Sequence, residues 1–243
     1  VIVGFGGGSA IDIAKAVAGL MTNGGVVTDY MEVVGRGMKI AKPGLPWIAV
    51  PTTAGTGAEV TKNAVVGWPE KKFKASLRSE YLMARVALVD PMLGVSVPRE
   101  VTAASGMDAL CQCIESYLSK HANPMTDGLA IEGVRLASSH LKSAWMDGEN
   151  LDAREAMAQA ALISGMTLTN AGLGAVHGFA APLGANYPVP HGVVCAVLLA
   201  DVMAANLKAA HASGNDRIVR KYADIGRAMT GELSSDESDA QCG

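Results

Sequence analysis

The sequence predicts an α/β nucleotide-binding domain, incomplete and with a partly parallel sheet, followed by an all-α helical domain. Three observations carry that expectation. Over residues 1–97, short apolar strands alternate with glycine-, threonine- and proline-rich turns and one amphipathic helix. At Pro98 the texture changes, and to about Thr230 almost every segment has a helical period with few β-branched runs. A composition of 49% hydrophobic and 18% charged residues over 243 positions belongs to one or two packed globular domains.

Val1-Ile2-Val3-Gly4-Phe5 reads as a buried strand, and a chain opening there without a methionine reads as an internal fragment. Gly6-Gly7-Gly8-Ser9 is a tight turn. Ile11, Ala14, Val17, Ala18 and Met21 then recur at helical spacing, and Thr22-Asn23-Gly24-Gly25 supplies C-cap chemistry. Trp47 to Val50 is a second buried strand between two prolines. Asn63 to Gly67 and Phe73 to Leu77 read as a hairpin around Gly67-Trp68-Pro69-Glu70, and Val86 to Val89 is a further buried strand halted by Asp90-Pro91. Beyond a boundary near residue 98, helices are expected over Val101 to Leu118, Met125 to Trp145, Ala153 to Thr169, His191 to Ala210 and Asn215 to Met229. The acidic stretch Gly231 to Gly243 is expected to be a disordered tail.

A net charge of −3 argues against a nucleic-acid partner. No run reaches the ~18 apolar residues of a membrane span; the longest, Val193 to Ala200, stops at Asp201, so no membrane partner is expected. Cys111, Cys113, Cys195 and Cys242 show no framework spacing and no CxxC, which fits a reducing cytoplasm.

Two loops and one polar set carry the chemistry. A strand running through Gly6-Gly7-Gly8-Ser9 into a helix presents free N–H groups to a phosphate. It is equally a tight turn with Ser9 as helix N-cap. Asp12 and Lys15, three apart, read as a surface ion pair. Pro51-Thr52-Thr53-Ala54-Gly55-Thr56-Gly57 puts hydroxyls at the carboxyl end of a strand, where ligands bind in α/β sheets. In the helical half, Asp108 and Gln112 share a helix face, while His177 and His191 stand in apolar, small-residue surroundings. Asp and His of this kind are plausible metal ligands, or merely hydrogen-bonded core residues. His121, His140 and His211 read as surface residues.

Taken together, these motifs resemble the iron-dependent (group III) alcohol dehydrogenase family, within the dehydroquinate synthase-like fold. The resemblance rests on Gly6 to Lys15, Pro51 to Thr61, Val89-Asp90-Pro91, Gly106 to Leu110, and Val176-His177-Gly178 through Pro190-His191-Gly192. It implies that Gly6, Gly7, Gly8, Ser9, Asp12, Thr52, Thr53, Thr56 and Lys74 serve NAD or NADP. It also implies that Asp108, Gln112, His177 and His191 stand at the metal positions. Asp108, His177 and His191 would then be catalytic, with Fe²⁺ or Zn²⁺ polarising the oxygen of a small alcohol, aldehyde or ketone during hydride transfer. Two departures stand out: Gln112 replaces the usual histidine, which implies weak or absent metal binding, and Ala181 replaces a further histidine near the reacting carbonyl. The expected partners are a small alcohol or carbonyl substrate and a second copy of the chain in a homo-oligomer, a dimer. The alternatives are a catalytically silent nucleotide-binding homologue and a glycerol dehydrogenase-like or dehydroquinate synthase-like enzyme.

The glycine turn yields a first prediction. Gly7→Val should weaken NAD(H) and NADP(H) binding, read by fluorescence titration, more than it lowers the melting temperature, because the added methyls fill the pyrophosphate space. Unchanged affinity for both would make the turn purely structural.

Overall fold

The computed structural model describes residues 1–68, 71 and 73–231. Pro69, Glu70, Cys242 and the acidic segment expected as a disordered tail, apart from Gly231, lie outside the described residues.

The first half holds strands β1 (Ile2–Gly6), β2 (Trp47–Pro51) and β5 (Val86–Ala87) in a parallel sheet of order β1-β2-β5. Ile2 faces Trp47, and Ile48 faces Val86. A separate antiparallel hairpin joins β3 (Asn63–Trp68) and β4 (Phe73–Arg78), with Asn63 opposite Arg78 and Trp68 opposite Phe73. Helix α1 (Gly8–Asn23) leaves β1 through the glycine turn and covers one sheet face. Its Ile11, Ala14 and Ala18 pack on Trp47, Ala49 and Ala58, while Ala16 reaches toward Tyr30, Ile40, Leu77 and Leu82. A single turn, α2 (Val27–Tyr30), follows.

Three expectations for this half are corrected. The opening strand is not buried throughout: Gly4 is, because Ala14 sits over it, but Val3 and Phe5 are 57% and 62% exposed. Strand β5 is shorter than expected and both its residues are exposed. Among the described residues only one sheet face is covered by a helix, so an unbroken apolar run misreads as two-sided burial. Lys15 is no surface residue either. It is 0% exposed, and its Nζ donates to Ala58 O at 2.8 Å, Thr61 Oγ1 at 2.8 Å and Asn63 O at 2.7 Å. Those acceptors use all three of its donors. Asp12, 3.6 Å from Lys15, accepts the Val65 N–H at 3.1 Å. Together the two residues tie α1 to the end of the threonine loop and to β3.

The second half is helical from Arg99 onward: α3 (Arg99–Leu118), α4 (Pro124–Met146), α5 (Leu151–Ala171), α6 (Ala175–Asn186), α7 (His191–Ala212) and α8 (Asp216–Thr230). Helix α3 runs through the middle, with Leu110, Cys111, Cys113 and Ile114 in a core shared with Val134, Met157, Val176 and Cys195. Asn123 caps α4 by accepting from Met125 N and Thr126 N, Asn150 caps α5 and Asn215 caps α8. Helix α6 is absent from the sequence-based expectation. Its Gly- and Ala-rich composition and internal Pro182 hide the helical period, and its N-terminus is satisfied by a residue far away in the chain. Helix α7, with 22 residues and an 18-residue stretch of mean hydropathy 1.8, is long and apolar enough to cross a membrane by length and composition alone. It carries Asp201 and packs against α3, α6 and α8.

The halves meet backbone to backbone. Gly57, at φ 59°, lies against Gly165 of α5, so a Cβ on either residue would run into the other. Thr169 Oγ1 donates to Val60 O at 3.3 Å beside this contact. Gly165→Ala should therefore destabilise the protein by about 2–3 kcal/mol through overpacking. Gly128→Ala, on an open face of α4, should instead stabilise it by about 1 kcal/mol. Urea denaturation of the two variants beside wild type reads both signs.

Candidate active site

A cleft of about 460 Å³ runs between the two halves. One wall is the start of α1 with the threonine loop and hairpin, presenting Gly8, Ser9, Asp12, Thr56 and Lys74. Gly6 takes φ 143°, a conformation open to glycine, whereas Gly7 sits at φ −73° and could carry a side chain without backbone strain. What makes Gly7 and Gly8 small is space. A Cβ on Gly7 would lie 3.3 Å from Thr53 Oγ1, and one on Gly8 would lie 2.8 Å from Thr56 Oγ1. Gly7 N-caps α1 without a side-chain bond, so Ser9 is not the cap. The Thr52 N–H donates to Gly6 O at 2.9 Å and clamps the two loops together. Thr52 and Thr53 line a small neighbouring cavity of about 30 Å³ with Asp90, Thr102 and Arg154 rather than the main cleft.

The charges on this wall are set by burial. Burial pulls Lys15 down to about 8 in spite of the Asp12 carboxylate beside it. Burial likewise raises Asp12 and Glu59 above the usual carboxylate range, with Lys15 opposing both shifts.

The opposite wall gathers Asp108 from α3, His177 from α6 and His191 from the first turn of α7. His177 Nε2 is 3.2 Å and His191 Nε2 3.7 Å from Asp108 Oδ1. The two rings tilt at 58° with centroids 5.4 Å apart. Two residues outside the sequence-based set complete the arrangement. Glu115, buried on α3, accepts from His177 Nδ1 at 2.6 Å and from the Val176 and His177 N–H groups at 2.7 and 3.3 Å. One carboxylate thus caps α6 and fixes a tautomer in which Nε2 faces Asp108. Cys195 Sγ lies 3.7 Å from His191 Nε2 and 3.8 Å from His177 Nε2.

Gln112 is buried, and it lines the cleft beside Asp108. Its Oε1 accepts from Ser164 Oγ at 3.1 Å, and its side chain hydrogen-bonds to Asp108. Ala181 lines the cleft on the same wall. His121 and His211 are exposed, and His140 is half-buried, its Nδ1 3.0 Å from Leu136 O.

The cluster is strongly anion-rich. Burial opposes charge on His177, yet Asp108, Cys195 and Glu115 hold its pKa up to about 11, so a cation bound at Nε2 would take the place of the proton there and leave the one on Nδ1. The neighbouring Cys111 thiol, together with His177 and His191, holds Cys195 below the usual thiol range against the effect of burial. Burial also opposes the Asp108 charge, but His177, His191 and Gln112 keep it below the usual carboxylate range. Converging Oδ1 and Nε2 atoms, a carboxylate orienting one imidazole from behind, and a surplus of negative charge suit a divalent cation.

Both of these additional residues leave a trace in the sequence. Asp108, Gln112 and Glu115 are spaced i, i+4, i+7 on one helix face, and His191 and Cys195 are spaced i, i+4 on another. The distance between those helices in the chain is what hides their partnership.

An α/β half and a helical half facing each other across a cleft, with the metal-competent set on the helical side, define a two-part protein with its candidate site at the junction. More narrowly, the chain belongs to the iron-containing alcohol dehydrogenase family. The family's profile, described as iron-containing alcohol dehydrogenase, matches residues 1–91. The profile described as Fe-containing alcohol dehydrogenase family, C-terminal, matches residues 102–242. Long-chain-alcohol dehydrogenase 1 of Geobacillus thermodenitrificans is 45% identical over 202 residues, covering 83% of this chain and 50% of that protein. The 1,3-propanediol dehydrogenase of Klebsiella pneumoniae is 41% identical over 229 residues, 94% of this chain and 56% of that one. Among solved structures, a 1,3-propanediol oxidoreductase matches with a TM-score of 0.88 at 40% identity, over 99% of this chain and 59% of the other. A sulfoacetaldehyde reductase from Bifidobacterium kashiwanohense in complex with NAD+ matches with a TM-score of 0.76 at 38% identity, over 81% and 52% of the two chains. The chain spans about half the length of the curated relatives it matches.

The buried ammonium of Lys15 makes the cofactor wall testable. Lys15→Met should cost about 3 kcal/mol or more, because buried carbonyls of Ala58 and Asn63 lose their donor. With its folded pKa near 8 and an ordinary value of 10.5, Lys15 has lost its proton in the fold but keeps it unfolded across that window. Wild-type stability relative to Lys15→Met should then rise with pH between those values, by at most about 1.4 kcal/mol per pH unit, and fall back as pH drops through 8. Chemical denaturation at a series of pH values measures it, and a flat difference would contradict the burial of the ammonium.

Proposed function

We propose that the whole protein is an NAD(P)-dependent oxidoreductase that transfers a hydride between the dinucleotide and a small alcohol, aldehyde or ketone. The observation that carries this reading is the single cleft shared by the glycine turn and by Asp108, His177 and His191. Two relatives support it by what their names state: one is a long-chain-alcohol dehydrogenase and one a reductase in complex with NAD+. When bound, the dinucleotide supplies the hydride and a divalent metal supplies a Lewis acid at the reacting oxygen.

The residues of this chain do the rest by position. Gly8 and Ser9 offer the free N–H groups of the α1 N-terminus to the pyrophosphate, and the missing side chain at Gly8 keeps that approach open. Lys74 adds a positive charge to the same wall. Asp108, His177 and His191 would hold the metal, with Glu115 keeping the His177 Nε2 lone pair turned toward it. Ala181 gives this wall a methyl group, so no proton is handled there. Such an enzyme would work in the cytoplasm as a homodimer. The buried, unpaired thiols of Cys111, Cys113 and Cys195 agree with a reducing compartment.

Ala181 and Gln112 favour a second reading, a homologue that binds nucleotide without turnover. Oxidation of NADH and NADPH by the full-length gene product across a panel of small aldehydes separates the two. Turnover of at least one aldehyde is expected, with a loss of at least about tenfold in His191→Ala. Cofactor binding without turnover of any aldehyde would leave the silent homologue.

A further inference from the structure

We propose that Cys195 is a ligand of the metal in this cleft, so that Asp108, His177, His191 and Cys195 form a mixed oxygen, nitrogen and sulfur site suited to Zn²⁺. The inference rests on the reading that the cleft holds a divalent metal. Four ligands around Zn²⁺, at about 2.0–2.2 Å for nitrogen and oxygen and about 2.3 Å for sulfur, stand about 3.3–3.7 Å from one another in a tetrahedron. The separations in the cleft fall close to those edges: 3.2 Å and 3.7 Å from Asp108 to the two imidazoles, and 3.7 Å and 3.8 Å from Cys195 to the same two nitrogens. All four ligand atoms lie within 4.8 Å of one another. The spacing of His191 and Cys195, one helical turn apart on α7, makes that half of the site rigid.

Neither neighbour can take this position as well. Gln112 also lines the cleft, but its one ligand-capable atom, Oε1, already accepts from the Ser164 hydroxyl at 3.1 Å, and its side chain supports the charge on Asp108. The Cys111 thiol approaches His177 from behind, 3.9 Å from Nδ1, and Nδ1 already donates to Glu115. Asp108 and a Cys195 thiolate bring two negative charges to a dication, whereas the neutral amide of Gln112 would bring none. Thiolate with imidazole suits Zn²⁺, while a set of oxygen and nitrogen ligands alone is more permissive.

The test uses the full-length protein, stripped by chelator and reloaded with Zn²⁺ alone, and reads the metal's ligands by X-ray absorption. One sulfur neighbour at about 2.3 Å is expected in wild type. It should persist in Cys111→Ser and Gln112→Leu and vanish in Cys195→Ser, together with at least about a tenfold loss of Zn²⁺ affinity in a chelator competition. Reloading with Co²⁺ should give a thiolate-to-metal charge-transfer band that follows the same pattern. Zn²⁺ bound with only nitrogen and oxygen neighbours in wild type would overturn the Cys195 assignment and leave the metal-dependent reading standing. No Zn²⁺ or Co²⁺ bound in wild type would overturn both. The wild-type spectrum decides this even if Cys195→Ser fails to fold.

Discussion

The ammonium of Lys15 is the constraint on which the cofactor wall depends. Taking that charge out of water costs several kcal/mol, and it is tolerated because three oxygens from the Ala58–Asn63 segment meet it at hydrogen-bond distance. The segment has no regular ladder of its own at that point, so the ammonium substitutes for one. Helix α1, the end of the threonine loop and the first residue of β3 are thereby fixed relative to one another. The close fit of Gly7 to Thr53 and of Gly8 to Thr56 follows from that fixed distance.

Glu115 plays the corresponding part in the helical half. It reaches from the middle of α3 to the first N–H groups of α6 and to the imidazole of His177. A helix start, a ring tautomer and a ligand direction are set by one side chain. Small residues let it do so. A Cβ on Gly174 would lie 2.7 Å from Glu115 Oε1, and the backbone of Gly192 at the start of α7 presses on Ala104. The scarcity of aromatic side chains, 5% of the chain, is the compositional face of this close helix packing.

Much of this is legible in the sequence. The long helices fall within two residues of their periodic segments, because each buries a stripe and most carry an Asn or Pro start signal. Asp108, His177 and His191 converge as polar residues in apolar surroundings often do. The failures share a cause. Lys15 misreads as a surface residue because its partners stand 43 to 48 positions away, and α6 escapes notice because its cap stands 61 positions away. The apolar runs at Val1–Phe5 and Val86–Val89 announce a strand but not how many of its faces are covered. Cys195 reads as one of four thiols, although its relation to His191, one turn earlier on α7, stands in plain view.

The contact between Gly57 and Gly165 has a mechanical consequence. Two bare backbones in contact have no side chain that can change rotamer, and neither can slide past the other without a clash. The two walls of the cleft are therefore held at a fixed separation there, much as a pin holds two plates, and the packing of β4 against α6 closes the other end.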